Sequence, residues 1–173
     1  MSQPQVESRD ERPYAAIQAT ISTMSEFRAA ADSGFPELFG WLETRGIDVD
    51  GPPFIRYVEL GADGQPRVIE LGVPLSAPAP SSDGIRSDSL PAGRYATLVH
   101  VGPYASDDVP DLGAARSRLI SFIQGRDLAI DRTPLGRGSR YGACLESYLT
   151  NARLEPDPSH WRTELAYLLT ENG

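Results

Sequence analysis

The chain has 173 residues and a formal net charge of −8, from 24 acidic residues against 16 arginines and no lysine. That balance offers no basic face to displace phosphate counterions and argues against direct nucleic-acid binding; the length suits one domain or two small fused halves. No apolar run approaches the roughly 20 residues that span a bilayer, the N-terminus lacks a signal-peptide core, and the lone Cys144 excludes an internal disulfide, so a cytoplasmic location is expected.

Residues 1–11 are polar and read as a frayed, disordered tail ahead of a single domain over 12–173. From Tyr14, apolar Ala15, Ile17, Ala19 and Ile21 alternate with polar neighbours, which predicts a half-buried strand. A helix is expected from Ser25, interrupted at Ser33-Gly34 and resumed from Phe35 to Gly46, with Pro36 in its first turn and Leu38, Trp41 and Leu42 inward. Two β-favouring runs, Phe54 to Leu60 and Arg67 to Leu75, flank a Gly/Asp turn and predict a hairpin. Proline-containing residues 76–89 read as a connector. Beyond it come a strand from Arg94 to Tyr104, a helix from Asp107 to Gln124 with Leu119, Phe122 and Ile123 inward, and strands over Tyr141 to Leu149 and Trp161 to Leu169.

A shift of 81 positions places Tyr14 on Tyr95, Ile17 on Leu98, Leu42 on Ile123 and Asp50 on Asp131, so one offset fits both strand and helix. The chain reads as an internal duplication, repeat one about 12–75 and repeat two about 90–170, with Glu70 matching Glu164 only weakly at a different offset. Two such units predict an α+β fold of two β-α-β-β repeats about a pseudo-two-fold, two small sheets with helices on one side and a cleft on the other.

The stretch Tyr141 to Leu149 carries one acid, Glu146, among core-type residues. Strand alternation puts Cys144, Glu146 and Tyr148 on one face and Leu145 and Leu149 on the other. The leucine face is expected under the helices, leaving the acid on a pocket floor. A carboxylate there needs a cation, a donor or a proton, and a ligand is one such partner; a solvated face or an arginine is another. His100 shares the parity of Ala96 and Leu98, as a core histidine would. Tyr104 suits a cleft rim or a packed turn, Trp161 a lid or an anchor, and Glu164 a second cleft acid or an edge residue. His100, Cys144 and Glu146 lack metal-ligand pair spacing, and no metal or cofactor is expected.

The segments Gly51 to Tyr57, Leu71 to Leu75, Leu90 to Tyr104, Glu146 to Leu149 and Trp161 to Leu165, in that order, resemble the GyrI-like small-molecule-binding family, the effector-binding domain of AraC-type and MerR-type multidrug regulators. The resemblance implies a tandem repeat with a hydrophobic cleft, and an acid that meets the charge of aromatic drugs; Glu146 matches it by its Glu-x-Tyr context. It implies a hydrophobic aromatic small molecule as partner, bound by a monomer or homodimer, with no membrane or DNA contact. Three roles follow: multidrug binding or sequestration, protein binding like the gyrase-inhibitor namesake, or hydrolytic opening of cyclopropane-bearing DNA alkylators for self-protection. For hydrolysis, Glu146 would activate water and Tyr57 or Tyr148 would donate a proton. The expected site is thus Glu146 and Tyr57 for catalysis, with Tyr148, Tyr104, Trp161, His100 and Glu164 binding ligand.

Overall fold

A computed structural model describes residues 2–171. In chain order the elements are β1 (Gln5–Arg9), β2 (Arg12–Thr20), α1 (Met24–Thr44), β3 (Phe54–Gly61), β4 (Pro66–Pro74), β5 (Arg86–Leu90), β6 (Gly93–Val101), α2 (Leu112–Gly125), β7 (Arg132–Leu135), β8 (Gly138–Tyr141), β9 (Cys144–Tyr148) and β10 (Arg162–Leu168). The fold is α+β, two helices on a curled antiparallel half-barrel.

The two expected sheets are one. The order β1-β6-β10-β9-β3-β4-β2-β5 runs unbroken because β9 and β3 hydrogen-bond at the centre, with Ile55 opposite Glu146. The order reads the same from either end once repeats are equated, so the pseudo-two-fold passes between β3 and β9. The 81-position shift also carries Gln5–Arg9 onto Arg86–Leu90. Each of these strands joins the other repeat: Gln5 lies opposite Thr97, and its counterpart Arg86 opposite Ala16.

The polar N-terminus is therefore an edge strand rather than a frayed tail, and part of the expected connector is the equivalent edge. Its polarity reflects one wet side, while Val6 packs on the core. Deleting residues 1–9 should cost about 2 kcal/mol, from five lost ladder positions and the Val6 contact. A melting temperature lower by roughly 4–8 °C is the expected readout; an unchanged one would restore the frayed-tail reading.

Helix α1 runs unbroken through Ser33, Gly34 and Pro36. Ser33 Oγ donates back to the Ala29 carbonyl at 2.9 Å, and a Cβ at Gly34 would collide with Leu71, so this glycine permits close helix–sheet approach instead of ending the helix. Helix α2 starts later than the sequence suggests: Asp111, not Asp107, caps it by accepting from the Ala114 N–H at 3.0 Å. The single strand expected over Tyr141 to Leu149 divides into β8 and β9.

Both sheet faces are interior. Ile55, Tyr57, Ile69, Leu71, Cys144 and Leu165 pack beneath the helices with Ala115, Leu119 and Ile123. On the opposite face Tyr14, Phe54, Tyr95, Leu145 and Leu168 form a cluster that the sheet's own curl closes. The expected orientation of β9 is accordingly reversed: Leu145 belongs to the helix-free face, and Cys144 points toward the helices, as do the next residues of its parity.

Candidate functional site

The strand registers place the acid at the symmetry axis. Gln18 and its counterpart Val99 face Glu70 and Glu164 respectively, so the weak Glu70–Glu164 match is a true structural equivalence. Following the ladder, Tyr57 faces Ile69 and Tyr148 faces Thr163, which equates the two tyrosines; Ile55 faces Leu71 and Glu146 faces Leu165, which equates Ile55 with Glu146. One repeat thus has isoleucine where the other has the carboxylate, and the two related tyrosines reach that carboxylate from either side.

Glu146 is 6% exposed. Tyr148 Oη donates to its Oε1 at 2.6 Å, Tyr57 Oη to Oε2 at 3.1 Å, and Arg116 Nη2 to Oε2 at 2.7 Å. Arg116, from α2, also donates to Tyr167 Oη at 3.1 Å and lies 5.2 Å from the Tyr57 ring centroid. It is the residue that sequence reasoning missed. An arginine on a polar helix face reads as solvated, but the 81-position shift equates Arg116 with Phe35, and Phe35 packs edge-on against Tyr148 at 6.4 Å. Each helix thus covers the other repeat's tyrosine, one with a ring and one with a guanidinium.

Burial first, then the Glu146 charge, pushes the Tyr57 and Tyr148 phenols well above their usual range, so both remain proton donors. Burial opposes the Arg116 charge, yet Tyr167, Cys144, Tyr57 and Glu146 around it hold its pKa raised. Burial also pushes the Cys144 thiol up, the opposite of what a nucleophile needs.

Aromatic rings wall this carboxylate. Phe27 stacks on Tyr57 at 6.2 Å, and Tyr104 packs against Tyr148 at 5.6 Å and against Trp161 at 4.7 Å. Trp161 is anchored by its indole N–H, which donates to the Glu155 carbonyl at 2.9 Å. Tyr57 and Tyr148 therefore touch Glu146, Tyr104 packs on Tyr148, and Trp161 stands one ring further out. His100 lies on the same face, fully buried, with Nε2 donating to the Pro103 carbonyl at 3.0 Å, which leaves Nδ1 as an acceptor. That atom and Oγ1 of Thr163, the residue opposite it in register, have no hydrogen-bond partner among the described residues.

Glu164 does not join this group. It shares the parity of Ala166 and Leu168 on the helix-free face, where it pairs with Arg9 at 2.8 Å and lines a cavity of about 470 Å³ with Phe54, Tyr95, Leu145 and Leu149. Its equivalent Glu70 is buried on the same face, accepting from Tyr14 and Arg56. Among the described residues, no helix is long and apolar enough to cross a membrane.

A family model for the GyrI-like small molecule binding domain matches residues 2–167. No curated protein matches. Among solved structures, the C-terminal domain of EcmrR superposes with a TM-score of 0.74 at 16% identity, covering 97% of each chain. The chain covers 57% of EcmrR as it occurs in the EcmrR–DNA complex. A hydrolase from Listeria innocua gives a TM-score of 0.61 at 13% identity, over 97% of this chain and 92% of that one. SAV2435 bound to tetraphenylphosphonium gives 0.54 at 12%, over 99% and 96%. At such identities the likeness is one of fold. The family match over nearly the whole length makes the assignment: the chain belongs to the GyrI-like small-molecule-binding domain family.

Proposed function

We propose that the chain binds a hydrophobic aromatic small molecule at the Glu146 site, between the helices and the sheet. The observation that carries this reading is a buried carboxylate held by two symmetry-related phenols on which further rings pack. Flat apolar faces supply contact area, and a few fixed polar groups supply orientation. The tetraphenylphosphonium bound by SAV2435 supports a ligand built of aromatic rings, without fixing the charge of the ligand here.

A second reading, hydrolysis, is favoured by the hydrolase neighbours from Listeria innocua and by the phenol–carboxylate contact itself. In a cyclopropane conjugated to a dienone, Glu146 would take a proton from water as its oxygen attacks the ring carbon. The breaking C–C bond's electrons would move to the carbonyl oxygen, which Tyr57 would protonate. Proton transfer from Glu146 back to Tyr57, across their 3.1 Å hydrogen bond, would restore both groups.

Incubating the protein and its Glu146→Gln variant with a cyclopropane-bearing alkylator separates the two. Many equivalents of ring-opened product per wild-type molecule by mass spectrometry, with the folded variant binding but not turning over, is the hydrolase result. Intact compound, bound by the wild type and more weakly by the variant, is the binding-protein result. Absence of binding by both proteins would remove the site assignment.

A further inference from the structure

We infer that Arg116 sets the charge of the ligand: the site accepts neutral aromatic molecules that carry a hydrogen-bond acceptor and rejects organic cations. The inference rests on the reading that the Glu146 cage is the ligand site, and it names the class of ligand that reading leaves open.

A lone buried carboxylate attracts cations, but this one already has its cation. The two side chains differ in depth: Glu146 is 8% exposed and Arg116 25%. The Arg116 side chain is the more open of the pair, so a molecule arriving at Glu146 finds a guanidinium already bound there. A second positive charge there would be uncompensated in a poorly solvating site.

Displacing Arg116 is also costly. It is held by Glu146, by Tyr167 Oη, by the face of Tyr57 and by Cys144 Sγ at 3.9 Å. Its backbone is fixed because Ala115 and Leu119 of the same helix are fully buried. Glu70 and Glu164 lie on the far face, each paired with an arginine there.

Arg116 is suited to the opposite task. Among the described residues its side-chain contacts occupy at most three of its five N–H donors, leaving directions for a carbonyl, phosphoryl or similar oxygen. The rings of Tyr148, Tyr104 and Trp161 stand on the repeat-two side of the axis, where the equivalent of Arg116 is the uncharged Phe35. An aromatic body can rest on those rings with its acceptor turned toward Arg116.

Two probes with the same three phenyl rings test this: neutral triphenylphosphine oxide, with a strong acceptor oxygen, and cationic methyltriphenylphosphonium. By calorimetric titration of the whole chain, the wild type should bind the oxide about tenfold or more tighter than the phosphonium, the scale of one charge-assisted hydrogen bond. Arg116→Met should invert the order, while Arg116→Lys, which keeps the charge, should preserve it. Equal or tighter phosphonium binding by the wild type, or an unchanged ratio in Arg116→Met, overturns the inference. Tyr148→Ala separates the two levels. If it weakens both probes while the ratio fails, the cage is the site and only the role of Arg116 falls; if neither probe responds to it, both fall. Should Arg116→Met not fold, the wild-type ratio and Arg116→Lys still decide.

Discussion

Glu146→Leu should lower the unfolding free energy by about 4 kcal/mol, a fall of roughly 8–16 °C in melting temperature. One carboxylate accepts from Tyr57, Tyr148 and Arg116, so its loss strands two phenols and a mostly buried guanidinium together. Glu146→Gln keeps the shape and one acceptor oxygen, and should cost about half as much. Adding Arg116→Leu to Glu146→Leu should recover much of the deficit, because a buried pair removed whole costs far less than one broken in half. Thermal melts of the wild type, Glu146→Leu, Arg116→Leu and the double variant form the cycle, with Glu146→Gln measured beside them. A Glu146→Leu protein that melts with the wild type would mean that the carboxylate is solvated rather than caged. The equivalent Ile55 shows that the same fold accepts an apolar residue at this point of the axis, so the fold alone does not require an acid there, which supports the proposed ligand role.

How far this arrangement was legible follows from where each signal sat. The duplication was visible because one offset joined Tyr14 to Tyr95 and Leu42 to Ile123. The same offset also joins Gln5–Arg9 to Arg86–Leu90, but edge strands with one wet side carry no strong apolar alternation, and polarity concealed them. Glu146 and Tyr148 stand out as polar groups in an apolar strand, whereas Tyr57 enters only through the hydrolysis that the family resemblance implies. The direction of Glu146 and Tyr148 is hidden, because strand periodicity says which residues share a face and not which face the helices cover. In this curled sheet Leu145 packs against Tyr14 and Phe54 as fully as Cys144 packs beneath α2. Gly34 reads as a break because sequence cannot distinguish a glycine that ends a helix from one that admits Leu71. Arg116 was illegible for a related reason: its partners come from three other elements, and only the equivalence with Phe35 marks its place.

The duplication also supplies an internal control on the far face. Arg56 and Glu70 have 15% and 4% exposed side chains, whereas Arg9 and Glu164, beside the equivalent acid and tyrosine, have 28% and 22%. Arg56 Nη1 donates to Glu70 at 3.2 Å and to Tyr14 Oη at 2.6 Å, while Nη2 donates to the Gly142 carbonyl at 2.8 Å. Arg56→Met should therefore strand a buried carboxylate and cost about 4 kcal/mol, roughly 8–16 °C in melting temperature. Arg9→Met removes the pair with Glu164 at 2.8 Å, a second pair with Glu7 and a contact 5.3 Å from the Tyr95 ring centroid. Water reaches the pair with Glu164 through the cavity it lines, so the cost should be about 1 kcal/mol or less. Melts of the two variants at low and high salt test the contrast, since only the Arg9 pair should weaken as salt screens it. Equal shifts would show that the cavity does not hydrate its ion pair, and that symmetry rather than solvent access sets the energetics of this face.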